Sequence, residues 1–259
     1  MGRYSRTIAI AIAATALQTT SSALASSCVG NCGTVVPNGD VTAPPGGGGL
    51  QYVSTFEGVT DAGQIGSAGG TTGSEFISDS FSASAGDPLK FLFNYVTSDG
   101  AGYSDYGFAE LQTAAGVSVG YLFTARTVVS PGNTSPGFGL PLNISTLTPA
   151  TSAINPNASN FSVLGGSSGK CYSDGCGNTG FIQSLYNITT DGSYRIRFGV
   201  TNYGDSAYQS AMVFSGLKIA GVPIGGGVPE PATWAMLLLG VGAIGGVLRR
   251  RSATSLRLA

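Results

Sequence analysis

The chain has 259 residues, of which only 10% are charged and 41 are glycine, and it contains no histidine. Without histidine, Ser-His-Asp and Cys-His catalysis and most catalytic zinc sites are excluded. Residues 26–229 hold six basic and twelve acidic side chains, a net charge of −6, and an acidic body with no basic patch argues against nucleic acid as a partner.

The N-terminus reads first. Arg3 and Arg6 precede a mostly apolar stretch, Thr7 to Leu17, and Ala23-Leu24-Ala25 supplies a small-x-small pattern. Residues 1–25 are therefore predicted to be a signal peptide, with a helical apolar segment and a cut after Ala25. The apolar run is shorter than the ~20 residues a bilayer span needs. Residues 26–49 are small, Pro/Gly-rich and unperiodic, which predicts a flexible lead-in.

The four cysteines stand in two local couplets, Cys28 with Cys32 and Cys171 with Cys176. In an exported chain the default is two small-loop disulfides. Pairing within each couplet is one of three connectivities, and a four-cysteine zinc site is the lesser alternative in an oxidising compartment.

From Leu50 the texture changes. Residues 50–221 contain eight aromatic and β-branched runs separated by Gly, Asp, Ser and Pro turns, with no sustained helical period. Lys90 to Val96 is almost continuously apolar, which predicts a central strand covered on both faces. Tyr194-Arg195-Ile196-Arg197-Phe198 alternates cleanly, so both arginines are expected to face out of a half-buried strand. The sum is an all-β fold, a two-sheet sandwich of jelly-roll type. The stretch from Ser130 to Asn160 has five prolines and reads as a surface crossover, with one short strand around Leu140 to Ile144.

Candidate chemistry concentrates in two loops. Asp99 and Asp105 lie between two predicted strands amid glycines and serines; turn chemistry explains them first, and a Ca²⁺ site of carboxylates and carbonyls is the sharper alternative. Asn202 and Asp205 make a similar loop that could face the same rim. Tyr103, Tyr106, Tyr203 and Tyr208 flank the two loops. Packing of the sandwich accounts for alternate tyrosines, whereas a saccharide platform would use their ring faces and hydroxyls. Carboxylate pairs of the glycosidase sort exist (Asp99 with Glu110, Asp105 with Glu110, Glu57 with Glu75), but any acidic sandwich offers such pairs, and the body has no tryptophan. No enzyme activity and no definite cofactor are expected, structural Ca²⁺ being the one candidate.

After a Gly-rich linker, 222–227, comes Val228-Pro229-Glu230-Pro231. An apolar segment follows at 232–248, containing Trp234 and backed by Arg249-Arg250-Arg251, and residues 252–259 close the chain. Seventeen residues is a short membrane span, and the arginines place its C-terminal side, with 252–259, in the cytoplasm. The sandwich body then lies outside, and Pro-Glu-Pro stands just beyond the bilayer.

This tail, residues 228–251, resembles the PEP-CTERM sorting signal of Gram-negative bacteria that make exopolysaccharide, a segment also labelled an ice-binding protein C-terminal domain. The resemblance implies transient membrane insertion, recognition by an exosortase-type membrane protease, cleavage near Pro-Glu-Pro and delivery to the cell surface or extracellular matrix. The body, over about residues 89 to 220, is similar to a group of exported β-sandwich proteins without a settled activity, in which tryptophan stands at Tyr203 and an acidic residue at Gln209. The resulting expectation is a non-enzymatic surface or matrix protein that associates with exopolysaccharide. A secreted carbohydrate-active hydrolase using a carboxylate pair, or a structural spacer, are the alternatives.

Overall fold

A computed structural model of the chain describes residues 25–129 and 132–225. The predicted signal segment up to residue 24, the membrane segment 232–248 and the sorting residues fall outside the described residues. No helix among the described residues is long and apolar enough to cross a membrane.

The first half of the body contributes β1 (Ser27–Val29), β2 (Asn31–Val35), β3 (Leu50–Ser54), β4 (Val59–Thr60), β5 (Thr72–Ile77) and β6 (Phe81–Ala83). The long strands β7 (Pro88–Thr97), β8 (Tyr106–Thr113) and β9 (Ser118–Arg126) follow. Short pieces fill the crossover: β10 (Asn133–Ser135), β11 (Thr146–Thr148), β12 (Ser152–Ala153), β13 (Asn155–Pro156), a 3-10 segment at Ser162–Ser167 and β14 (Gly177–Asn178). The chain then completes both sheets with β15 (Ile182–Asn187), β16 (Gly192–Thr201), β17 (Ser210–Ile219) and β18 (Val222–Pro223).

Among the described residues these strands form an all-β sandwich. One sheet runs β1-β5-β16-β8-β9, the other β11-β15-β7-β17-β3-β2, and their strand pairs are antiparallel. The two faces meet in a phenylalanine-rich core. Phe198 of β16 stacks on Phe214 of β17 at 3.8 Å, and Phe93 of β7 stacks on Phe123 of β9 at 3.7 Å, so each pair joins the two sheets. The central position predicted for β7 is observed. Leu89, Phe91, Phe93 and Tyr95 point into the inter-sheet core. Val96 joins a second cluster on the outer face, where Phe161, Val163 and Leu164 cover the sheet.

Three expectations are corrected. Residues 26–49 are not a flexible lead-in: β1 and β2 extend opposite sheets, and Val41 is fully buried in the outer cluster. A Pro/Gly texture sets no period, but strand pairing and one buried valine suffice to hold the segment. The linker likewise begins later than residue 222, because Val222 and Pro223 pair back onto Ile219 and Lys218. The short strand expected around Leu140 to Ile144 is absent. Asn143 makes only a bridge to Tyr121, and the pairing falls instead on β11.

The alternation in β16 is as predicted, with Tyr194, Ile196, Phe198 and Val200 in the core. The outer face is not bare, however. Phe108 of β8 lies so close over Gly199 that a Cβ there would stand 2.5 Å from its ring. Beside it, Ile65, Tyr106 and Phe108 form a small buried cluster under the covering loops.

Candidate functional site

Three loops meet at one end of the sandwich: residues 98–105 after β7, residues 202–209 after β16, and the disulfide loop 171–176. Both predicted disulfides are present, Cys28–Cys32 with Cα atoms 6.0 Å apart and Cys171–Cys176 with 5.7 Å. The loops are stitched by main-chain bonds. Tyr172 N–H donates to Ser98 O (3.0 Å), Ala101 N–H to Asp174 O (2.9 Å), and Ser98 N–H to Gln209 O (3.1 Å). Gly204 takes a φ of +89°, which a glycine tolerates without strain, and this turns the loop beside Tyr103.

Asp105 is the hub. It is fully buried, its Oδ1 accepts the Tyr203 N–H at 2.8 Å, and its Oδ2 accepts the Ser210 hydroxyl at 2.6 Å. Ser210 Oγ also lies 2.8 Å from Thr97 Oγ1, and Tyr95 Oη stands 2.8 Å from Thr127 Oγ1 beneath. A polar layer thus caps the inter-sheet core. Asp99, also fully buried, accepts the Gly100 N–H on Oδ1 at 2.7 Å, while Oδ2 has no partner. Asn202 Oδ1 is likewise buried without one. Asp99 N–H donates to Thr97 Oγ1 at 3.0 Å, and Asn202 Nδ2 donates to Thr72 Oγ1 at 3.0 Å.

Burial sets the electrostatics. Loss of solvent pushes the Asp99 carboxyl up to about 7, against the Gly100 hydrogen bond and with help from the charge of Asp205. Asp105 is raised well above its ordinary value, first by burial, against the Ser210 bond and with Asp99 adding repulsion. The Tyr95 hydroxyl is raised as well, chiefly by burial. Among the described residues no group of three or more His, Cys, Asp or Glu is placed to hold a metal. Any cation here would therefore draw on Asp99 Oδ2, the Asn202 amide oxygen and loop carbonyls, with Asp105 alongside.

Above this layer the surface is aromatic. Tyr172 contacts Tyr103 edge-on at 5.4 Å and Tyr208 at 5.1 Å, and it is 48% exposed. Tyr203, 38% exposed, lies 4.7 Å over the Arg126 guanidinium, whose Nε donates to Ser104 O at 3.1 Å. A hollow of about 320 Å³ opens between Lys170, Tyr208 and Gln209. A second, of about 410 Å³, lies behind the disulfide beside Asp174 and Pro156.

The structure thus brings Asp99 and Asp105 into one buried layer and Tyr103, Tyr203 and Asp205 to the loops above it. Asp205 is half-buried and caps its own turn by accepting the Ala207 N–H at 3.0 Å. Tyr106 is corrected: it has no exposed surface, and its hydroxyl donates to Gly69 O at 2.6 Å and accepts the Ile65 N–H at 3.0 Å. It anchors a covering loop and cannot meet a ligand. Tyr172 and Arg126 were not among the residues singled out from the sequence. Tyr172 sits inside the short cysteine loop, and that tethered position was the available signal. Of the carboxylates considered above, Glu75 and Glu110 are both engaged by Arg197. Glu110 lies four residues along β8 from Tyr106, about 13 Å away, and shares Arg197 with Glu75 at 3.2 and 2.6 Å. Glu57 is exposed.

In a chelating buffer, stability is expected to fall as pH rises from about 4 to about 7. The unfolded chain releases the Asp99 proton near the ordinary value of 3.8, whereas the folded chain keeps it to about 7. The folded state therefore binds more protons in that window, and raising the pH favours unfolding. The full displacement corresponds to about 4 kcal/mol, which an effective interior dielectric of about 20 brings to about 1–2 kcal/mol. Urea unfolding at pH 5 and pH 8 should show this loss in the wild type and a flatter profile in Asp99→Asn. An unchanged loss in the variant would assign the titration elsewhere.

Fold and loops together define a class: a β-sandwich with a buried acidic layer under an aromatic loop rim. The more particular finding lies in the tail, where residues 227–251 match the PEP-CTERM protein-sorting motif. That match takes in Val228, Pro229, Glu230, Pro231, Trp234 and Arg249 to Arg251, and it supports an exported protein that is sorted by an exosortase and held only transiently in the membrane. No curated protein and no solved structure matches the chain.

Proposed function

We propose that the chain is a non-enzymatic cell-surface or extracellular-matrix protein, displayed after its sorting tail is removed, whose loop rim associates with exopolysaccharide. The observation that carries the reading is the sorting motif at 227–251, which supports export and is the reason for reading the body as a surface or matrix protein. The rim supports it: Tyr103, Tyr172 and Tyr208 present adjoining ring faces and edges, a surface suited to the apolar faces of sugar rings. The succession of strands, passing repeatedly between the two sheets, favours a jelly-roll-like sandwich. Ca²⁺ at the buried oxygens of Asp99 and Asn202, next to Asp105, would neutralise the acidic layer and stiffen the rim.

Released protein should co-sediment with exopolysaccharide from the producing cells. Tyr172→Ala and Tyr208→Ala are each expected to weaken that retention about fivefold, and chelation should weaken it further. Retention that ignores both tyrosines would contradict the rim assignment.

A secreted hydrolase is the second reading, because a carboxyl raised to about 7 has the poise of a general acid. Against it, Asp99 and Asp105 are enclosed under the loops and share the layer with hydroxyls. Polysaccharide turnover that Asp99→Asn abolishes would favour this reading over the first.

A further inference from the structure

A different carboxylate marks the start of the folded body. The backbone nitrogen of Ser26, just ahead of β1, lies 2.6 Å from Asp79 Oδ1. β1 is an exposed three-residue edge strand, paired only along Ser27↔Ile77, Cys28↔Phe76 and Val29↔Glu75. Asp79 itself is fixed from behind, because Ser78 N–H donates to Ile196 O at 2.8 Å and the Ser78 hydroxyl donates to Asp79 O at 2.9 Å. On its other side, a Cβ on Gly225 would stand 3.3 Å from Asp79 Oδ2. The chain therefore enters and leaves the sandwich at the same side chain. The neighbouring Ile224 N–H donates to Leu217 O at 3.0 Å, seven strand residues and about 23 Å from Ser210 at the rim end.

The position of Ser26 N is the one that the predicted cut would expose. Hydrolysis of the Ala25–Ser26 bond adds the hydroxyl of water to the Ala25 carbonyl carbon and breaks the C–N bond. The second water hydrogen goes to the Ser26 nitrogen, which takes a further proton from solvent at neutral pH. A peptide N–H with one proton and no charge becomes an ammonium group with three donors and a full charge. It can keep its place against Asp79 while the contact changes from a neutral-donor bond to an ion pair.

We propose that Asp79 is the receptor for the α-ammonium group that export processing creates on Ser26, and that this pair pins the N-terminal edge strand beside the exit of the sorting tail. The proposal rests on the reading of residues 1–25 as a cleaved signal. The other charged groups in register here are accounted for. Arg197, opposite Ile77, binds Glu75 and Glu110, and Arg195 donates to Gln112 Oε1 at 3.0 Å. The Cys28–Cys32 disulfide ties the middle of β1 to β2, but the exposed residues ahead of it, Ser26 and Ser27, would otherwise fray.

The test uses the exported full-length protein as the cells process it, as wild type, Asp79→Asn and Asp79→Glu. Mass spectrometry reads the first residue, and acylation by an amine-reactive ester, followed against pH, reads the α-amine. An ordinary α-amine titrates near 7.7–8.0, and ion pairing should leave the wild type about threefold to tenfold slower to acylate at pH 7.5 than Asp79→Asn. Asp79→Glu should restore the slow rate. Equal rates in chains that begin at Ser26 would overturn the pairing and leave the cut standing. Chains that begin elsewhere would overturn the cut, and the pairing with it. Should the variants fail to fold, the wild type alone decides: its α-amine should acylate more slowly folded than in urea, and equal rates would refute the pair.

Discussion

Replacing Pro229-Glu230-Pro231 with three alanines is expected to reduce the released protein at least about 100-fold, because a protease site built for one set of groups discriminates on that scale against their loss. The folded body should be unaffected, since the described sandwich ends at Gly225. The protein should instead collect in the membrane fraction with its C-terminal tail uncut and its disulfides intact. Replacing Arg249 to Arg251 with alanine should give the same fractionation with poorer orientation, since the positive cluster sets which side stays in the cytoplasm. Fractionation with an antibody against the body separates these outcomes. Normal release from the triple-alanine variant would contradict sorting through this motif.

The second large effect falls on Arg197. Burial works to lower its pKa, but Glu75 and Glu110 together hold it above the ordinary value. Its Nη2 donates to Gln64 O at 2.8 Å and its guanidinium lies 4.8 Å over the Phe108 ring. Arg197→Ala removes the partner of the buried Glu110 carboxylate, leaving it only the Gln112 amide at 2.9 Å. Breaking a largely buried pair in this way is expected to cost about 2–4 kcal/mol. For a body of this size that lowers the melting temperature by about 5–12 °C. Adding Glu110→Gln should recover part of the loss, because the stranded charge disappears. Arg195→Ala, on the same strand but bound only to Gln112 Oε1, should stay within about 0.5 kcal/mol. A near-neutral Arg197→Ala in thermal unfolding would show that the loop over Phe108 does not depend on the ion triad. The effect should reach the rim, because the loop held at Gln64 leads to Thr71, whose N–H donates to Asn202 O.

What the sequence revealed follows from local periods. Alternation in Tyr194 to Phe198 reports a half-buried strand, and the unbroken apolar run at Lys90 to Val96 reports one covered on both faces. The close spacing within each cysteine couplet matches the pairing observed. Turn residues marked the loops at Asp99 to Asp105 and Asn202 to Asp205, and these do meet, through the Tyr203 N–H bond to Asp105.

What it did not reveal depends on distant parts of the chain. Tyr106 is adjacent to the rim in sequence, yet the loop carrying Ile65 and Gly69 folds over its hydroxyl. Arg197 alternates like a solvent-facing residue, yet the same loop and Phe108 enclose it. Val41 is one apolar side chain in a Pro/Gly-rich stretch, and only the cluster around Phe161 and Leu164 makes it part of the core. Tyr172 joins the rim because the cysteine loop bonds to Ser98, a contact that spans seventy-four residues. No window of sequence contains these pairings.

The central claim is that the sandwich is exported and displayed by removal of its sorting tail. The most direct measurement is the intact mass of the protein recovered from the cell surface and surrounding matrix. The account predicts a chain that begins at Ser26, carries two disulfides and ends near Pro229 to Pro231. Recovery of most of the extracellular protein with Arg249 to Arg251 still attached would contradict it.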